Sequence, residues 1–281
     1  MTVHDTRPQA ATDGIAEVTH GIAVERQAGS LGAYISGVDL AGGFDDALVA
    51  VLRGALLEHL VVCIRGQEAM TPDDQLAFAR AWGTVLVHPY VPSIEGHPGV
   101  MRIYDTNAVT QTWHSDTTHV SAPPSITMLL ARTIPPYGGD TMFANQYLAY
   151  ETLSPGLRAT LDSLRAVHYG TELAKEAGVD AERVTNSHPV VRHHPETGRR
   201  ALYVNDNYVR HFDGWTEAES APLLKFLFEY AGHPEFTWRH KWKVGDLLLW
   251  DNRCTQHAVI ADTDGAERLL HRITIEGDVP E

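Results

Sequence analysis

Sixteen histidines stand among the 281 residues, and two of them open a His-x-Asp: His114-Ser115-Asp116 and His211-Phe212-Asp213. On a strand, residues i and i+2 point to the same face, so an imidazole and a carboxylate at this spacing can share one metal ion. The motif is weak alone, because random placement at this composition gives about one occurrence. Spacing leaves the two pairs equal; context separates them. Asp213 precedes Gly214 and the helix-opening Thr216, so the second pair reads as an Asp in a turn beside an exposed His. His114-Ser115-Asp116 follows Trp113 and precedes Thr117-Thr118, and reads as a strand entering from a polar loop.

A second constellation lies near the C-terminus. GDLLLWDN is apolar at its centre and reads as a core strand, which runs into the polar segment RCTQHAV with His257 at the strand exit. Arg268 and Arg272 follow inside RLLHRITIEGD. On a strand, 268, 270, 272 and 274 share one face, and two arginines there are costly unless they meet anions. The bland alternative pairs them with surface acids such as Asp262 or Asp264. Two histidines and one carboxylate on a β scaffold form the facial triad of non-heme Fe(II) oxygenases. Three open positions then take a bidentate 2-oxo acid and dioxygen, and an arginine neutralises the far carboxylate of that acid. His257 followed by Arg268 supplies this order.

Composition narrows the class. Hydrophobic residues make up 43% and charged residues 21%, ordinary globular usage, and the length suits one large domain or two modest ones. The two cysteines, Cys63 and Cys254, form no C-x-x-C, which excludes a disulfide scaffold and argues against a thiolate zinc site. Cys254 reads as a buried bystander rather than a soft ligand. With 22 Lys+Arg against 36 Asp+Glu and no basic run, the chain lacks the footprint of a nucleic-acid binder. No stretch reaches the roughly 20 apolar residues of a membrane span. Residues 1–20 lack a signal-peptide pattern and read as a disordered tail before a single domain at 21–281, so the cytoplasm is the expected location.

The elements that must position these residues are mainly strands. Residues 21–40 suggest a strand, a turn and a strand. Asp45 to Leu60 has helical apolar spacing, VVCIRGQ is a short buried strand, and Thr71-Pro72 opens a helix through Trp82. Short β-like runs fill Val100 to Ala144, and helices return at Gln146–Glu151 and Ser154–Leu164. Residues 170–188 are polar and irregular, the best candidate for a mobile loop. Strands follow at Val190–His193 and Ala201–Tyr208, then a helix at Thr216–Ala231 with a T-E-A-E cap. Two last strands, joined by a polar loop, carry the residues of the second constellation. The pattern predicts a mainly β fold with inserted helices, a sandwich or barrel.

Four segments together carry a family resemblance: WHSDTTH at 113–119, PPYGGDTMFAN at 135–145, HPVVRHHPETG at 188–198, and WDNRCTQHAV with RLLHRITIEGD between 250 and 278. The chain resembles the taurine dioxygenase/TfdA family of Fe(II)- and 2-oxoglutarate-dependent dioxygenases from about Leu31 to Pro280. The resemblance implies a double-stranded β-helix, a cupin-like jelly roll. It implies that His114, Asp116 and His257 bind iron, that Thr141 and Arg268 bind the distal carboxylate of 2-oxoglutarate, and that Arg272 lies between 2-oxoglutarate and an anionic substrate. By residue type alone, Thr141 is an ordinary strand-starting threonine after Gly138-Gly139-Asp140, and Trp113 and Trp250 are core packing. The family also places a lid near 170–187.

Substrate contacts implied by the resemblance are His88, in VHPYVP, with Tyr90, Thr110 and Tyr208. The chain departs from the taurine enzymes here. Tyr90 stands where they carry a small residue, Val91 where they carry the tyrosine, and Thr110 where they carry an asparagine. Tyr90, Tyr169 and Tyr208 suit a substrate larger than taurine. The expected reaction hydroxylates a C–H next to a heteroatom in a small anionic molecule, a sulfonate or an alkyl sulfate, and releases sulfite or sulfate with an aldehyde. Dioxygen is consumed and 2-oxoglutarate decarboxylated to succinate. Cleavage of an aryloxyalkanoate is the alternative within the family. A zinc hydrolase using the same ligands, or a noncatalytic jelly-roll binder, are alternatives of other classes; a homo-oligomer is compatible with all. Asp116→Ala is expected to abolish iron-dependent turnover and Asp213→Ala to lower stability only mildly; assays of both variants decide between the two His-x-Asp pairs.

Overall fold

The computed structural model describes residues 21–88, 91–105, 112–170 and 185–281. Within these, an eight-stranded sheet runs β1 (Ala23–Arg26), β2 (Ala33–Ser36), β3 (Val61–Ile64), β14 (Leu247–Asp251), β6 (Ile126–Thr133), β16 (Arg268–Ile275), β5 (His97–Asp105), β4 (Ser93–Ile94) in space. Only the β2–β3 pair is parallel. Facing it is a three-stranded sheet, β13 (Thr237–His240), β7 (Thr141–Asn145), β15 (Thr255–Val259). A second three-stranded sheet orders β12 (Val209–Phe212), β8 (Arg165–Tyr169), β9 (Thr185–Pro189), and β10 (Val191–His193) pairs with β11 (Arg200–Leu202). The jelly-roll, mainly β expectation holds.

The unbroken run LLLW in β14 has a packing cause. Leu247 and Leu249 point into a core made with the helices Asp46–His59 and Pro72–Arg80. Leu248 and Trp250 point the other way, into a core with Phe143, Tyr147 and Trp238. A strand buried on both faces needs no polar alternation. Capping chemistry sets the helix starts. Thr71 forms a capping box with Asp74 ahead of Pro72, and Thr216 forms one with Glu219 ahead of the helix Glu217–Ala231. That last helix covers a third core with Val190, Leu202 and Phe212.

Several sequence expectations need correction. The segment RCTQHAV is not a polar connector: Thr255–Val259 is a strand of the small sheet, and His257 sits at its middle. Ladder bonds to β7 leave room for polar Thr255, Gln256 and His257, all buried, on a strand that periodicity alone cannot detect. Ala201–Tyr208 is a strand only to Leu202; Tyr208 then bonds through its N–H to the Asn205 side chain, an Asx-type turn before β12. Residues 185–188 belong to β9 rather than to an irregular loop; positions 171–184 lie outside the described residues, as does the tail at 1–20.

Leu249→Ala is expected to lower unfolding free energy by about 2–5 kcal/mol, because the cavity opens in a two-sided core. Thr216→Ala is expected to cost about 1 kcal/mol, the loss of one cap. Urea unfolding of both checks the order; a cap variant as damaging as the core variant contradicts this packing.

Candidate active site

His114 and His257 are placed by the backbone itself. They form a one-residue antiparallel bridge: His114 N–H donates to His257 O at 3.1 Å and His257 N–H to His114 O at 2.8 Å. Cross-strand partners point to one face, and the two rings stand 4.2 Å apart. On its other edge β15 pairs with β7, His257 opposite Phe143, so the histidine is held from both sides.

Asp116 arrives differently. The sequence reading set His114 and Asp116 on one strand; instead only His114 joins a ladder, and Asp116 begins a turn in which Thr117 takes φ +42°. Hydrogen bonds fold the turn back. Ser115 Oγ donates to Thr255 O at 2.7 Å, Asp116 N–H to Asn252 Oδ1 at 3.2 Å, and Thr117 N–H to the Tyr208 hydroxyl at 3.2 Å. The result brings one ligating atom from each of His114, Asp116 and His257 within 4.8 Å of one another, all buried. The other pair does not assemble a site. His211 is half-buried rather than exposed, with Nε2 2.9 Å from the Tyr169 hydroxyl, and Asp213 accepts from Ser187 Oγ at 2.9 Å.

The donor set suits a divalent ion. His114 Nδ1 lies 2.9 Å from Thr112 O, and a carbonyl only accepts, so Nδ1 carries the proton and Nε2 is left as a base. His257 Nε2 stands 3.8 Å from Asp116 Oδ1, while its Nδ1 is buried without a hydrogen-bond partner. Asp116 Oδ2 is taken by Thr127 Oγ1 at 2.7 Å and an Arg272 nitrogen at 2.8 Å. Burial pushes the Asp116 carboxyl up, but Arg272, then His257 and His114, outweigh it and hold it below the usual carboxylate range. Burial, reinforced by His114, takes His257 down to about 3, and burial lowers His114 as well. At neutral pH the trio is two bases and an anion, the protonation state that metal binding requires.

Two other His/Cys/Asp clusters fit a metal less well. In Cys63–His240–Asp246, both Asp246 oxygens bond Arg65, at 2.8 and 2.6 Å. In His194–Asp251–Cys254, Arg253 takes Asp251 twice, at 2.9 and 2.6 Å. Burial also pushes both thiols well up, so neither is a ready thiolate. Cys254 is thus buried, and apart from the His114–Asp116–His257 cluster.

Thr141 and Arg268 do meet. Arg268, 3% exposed, places a terminal nitrogen 3.5 Å from Thr141 Oγ1 and lies over the Trp242 ring, whose Nε1–H donates to the same hydroxyl at 3.0 Å. Gly138 and Gly139 take φ +73° and +67°; a Cβ on Gly139 would meet Arg268 Cδ at 3.1 Å, so the turn that delivers Thr141 also makes room for Arg268. Asp262 and Asp264, the suggested alternative partners, receive Arg239 and the Tyr137 hydroxyl. Arg272 points into the site, on Asp116, rather than to a surface acid.

His88 lies beside this centre. Burial lowers its pKa, Arg272 lowers it further and Asp116 raises it; Val91 N–H donates to its Nδ1 at 3.0 Å, so the proton sits on Nε2. Tyr208 is buried, and its hydroxyl is pushed up to about 12 by burial and by Asp116. Tyr90 and Thr110 lie outside the described residues. Three contributors escaped the sequence reading. His119 ends the WHSDTTH segment, packs 5.2 Å from the Tyr208 ring, and is lowered to about 4 by burial and by His88. Asn252 sits in the WDNR segment, which pointed toward it. Thr127 had no sequence signal. Trp250 is core, as expected, yet its ring also lies 4.8 Å from His257.

His257, His119 and His271 are all held low, the last to about 4 by burial and Arg132. From an unfolded value of about 6.5, the unfolded chain takes protons that the folded chain refuses, so stability is full above pH 6.5 and is lost as pH falls toward 4. The urea midpoint of metal-free protein is expected to drop steadily over that window and His257→Gln to flatten part of the slope; a level midpoint from pH 7 to 4.5 contradicts it.

The family model "Taurine catabolism dioxygenase TauD, TfdA family" matches residues 23–274. An alkylsulfatase of Acinetobacter baylyi is 35% identical, over 95% of this chain and 89% of its own. An alpha-ketoglutarate-dependent sulfate ester dioxygenase of Pseudomonas putida is 34% identical, over 90% and 89%. The crystal structure of a taurine dioxygenase from Burkholderia xenovorans superposes with TM-score 0.83 and 41% identity, covering 92% of this chain and 90% of that one. With its buried His114–Asp116–His257 cluster and the Arg268–Thr141 pair beside it, this chain belongs to the TauD/TfdA family of 2-oxoglutarate-dependent dioxygenases.

Proposed function

We propose that residues 21–281 form one catalytic domain that oxidises a primary alkyl sulfate to an aldehyde and sulfate. His114, Asp116 and His257 hold iron(II), and Arg268 with Thr141 holds the distal carboxylate of 2-oxoglutarate. The observation that carries the reading is the three ligating atoms within 4.8 Å in a buried site, together with the buried Arg268 against Thr141. When bound, iron(II) and 2-oxoglutarate activate dioxygen, giving succinate, carbon dioxide and one oxygen atom for a C–H bond.

The chain's own residues supply charge and placement. Arg268 is a planar fork suited to a bidentate carboxylate, and its burial strengthens that pair. Arg272, 24% exposed, reaches the open side of the same strand face and with the His88 Nε2–H can receive the sulfate head. Hydroxylation of the carbon bearing the sulfate oxygen leaves a group that collapses. The C–O bond to sulfate breaks, its electron pair leaves with sulfate, and the hydroxyl oxygen becomes the aldehyde carbonyl as its proton is released to solvent. Trp250 and Phe143 line His257 with rings and exclude water.

The sulfate-ester relatives, and Val91 in place of the taurine enzymes' tyrosine, favour an alkyl sulfate over taurine. A sulfonate is the second reading, favoured by the likeness to the Burkholderia structure. Among the described residues no helix is long and apolar enough to cross a membrane; free buried thiols at Cys63 and Cys254 suit the cytoplasm.

Succinate release coupled to sulfate from medium-chain alkyl sulfates, exceeding sulfite from taurine, is the expected outcome; sulfite from sulfonates alone overturns the substrate. Arg268→Lys is expected to raise the 2-oxoglutarate requirement with little change in substrate saturation, and Arg272→Ala the reverse. Equal shifts of both constants in both variants contradict this division.

A further inference from the structure

Behind Asp116 runs a closed chain of hydrogen bonds whose direction chemistry leaves no freedom to reverse. Trp250 Nε1–H is a donor only, and it points to Asn252 Oδ1 at 2.9 Å. Asp116 N–H, also a donor only, points to the same oxygen at 3.2 Å. The Asn252 amide is therefore oriented, and its Nδ2 must face Thr127 Oγ1, 2.9 Å away. An amide nitrogen only donates, so Thr127 Oγ1 accepts there and has one proton left to give. That proton goes to Asp116 Oδ2 at 2.7 Å. Trp250, Asn252 and Thr127 are each 0–1% exposed. Thr127 is pinned in mid-sheet, opposite Trp250 on β14 and Thr274 on β16.

We propose that Thr127 and Asn252 are positioning residues for the metal: together they tie up Asp116 Oδ2 and leave Oδ1 as the single ligating oxygen. The inference rests on reading His114, Asp116 and His257 as the metal ligands. Two features of the geometry support it. Oδ2 already takes two donors, Thr127 and Arg272, whereas Oδ1 faces His257 Nε2. Asn252 also grips the backbone N–H of the residue whose carboxylate Thr127 grips, so one network sets both the position and the rotation of Asp116. A carboxylate bound through one oxygen leaves room for a bidentate cosubstrate; one free to rotate into two-oxygen binding takes a position that the cosubstrate needs. Neither side chain is one of the three ligating groups.

The test compares Thr127→Val, of the same shape without the hydroxyl, with Thr127→Ser, which keeps it. Free Mn(II) is measured by electron paramagnetic resonance during titration, alongside melting of the metal-free protein. Thr127→Val is expected to weaken Mn(II) binding about 10–100-fold, the range for loss of an outer partner to a metal ligand. Thr127→Ser is expected to restore it, while the metal-free melting points of the two stay close. Wild-type Mn(II) affinity in Thr127→Val overturns the proposal, as does a loss that serine does not rescue. Should Thr127→Val fail to fold, Asn252→Ala decides on the same criterion of weakened Mn(II) binding. Absence of Mn(II) binding by the wild type overturns instead the reading of the ligands on which the inference rests.

Discussion

A carboxylate with almost no exposure must stay ionised for this site to exist. Burial opposes that state, and is itself opposed by a guanidinium 2.8 Å away and a hydroxyl at 2.7 Å. Everything around Asp116 follows from satisfying it. Arg272 must reach in from β16, Thr127 must sit near the start of β6, and the bridge between His114 and His257 must hold two rings side by side. Each of these contacts offsets part of the cost of keeping an anion in a dry place.

The scaffold meets this demand by division of labour between its two faces. One side of β14 builds an ordinary apolar core against two helices. The other side, from Leu248 through Trp250, closes the floor of the site. Strands that are buried on both faces move little, and side chains placed on them keep sub-ångström relations that loops do not. Asp116 is the exception, being delivered by a turn, and three side chains hold it there: Asn252, Thr127 and Arg272.

Much of this was legible in the residues. The capped helices at Thr71 and Thr216 and the apolar β14 announce themselves, because caps and buried runs are local signals. The cluster of His114, Asp116 and His257 was legible through the four segments that mark the family, not through spacing. The strand Thr255–Val259 was hidden because its residues are polar yet buried, their polarity answered by β7 and by His114. The geometry at His114 and Asp116 was hidden for a related reason: one ladder residue followed by a positive-φ threonine has no periodicity. Thr127 could not be found at all, since a threonine in a strand is ordinary and its meaning lies in Asn252, 125 positions away.

The order of the large sheet carries a consequence for how the chain comes to life. Two of its inner positions, between β3 and β6 and between β6 and β5, are filled by β14 and β16, which follow every other strand of this sheet in the chain. Until these two join, β3, β5 and β6 stand without their neighbours, with backbone edges open to wrong pairing. Contacts so distant in sequence make folding slow, and a chain cut before β15 lacks both His257 and Arg272. A chain that stops before β15 therefore cannot set His257 beside His114, nor Arg272 beside Asp116.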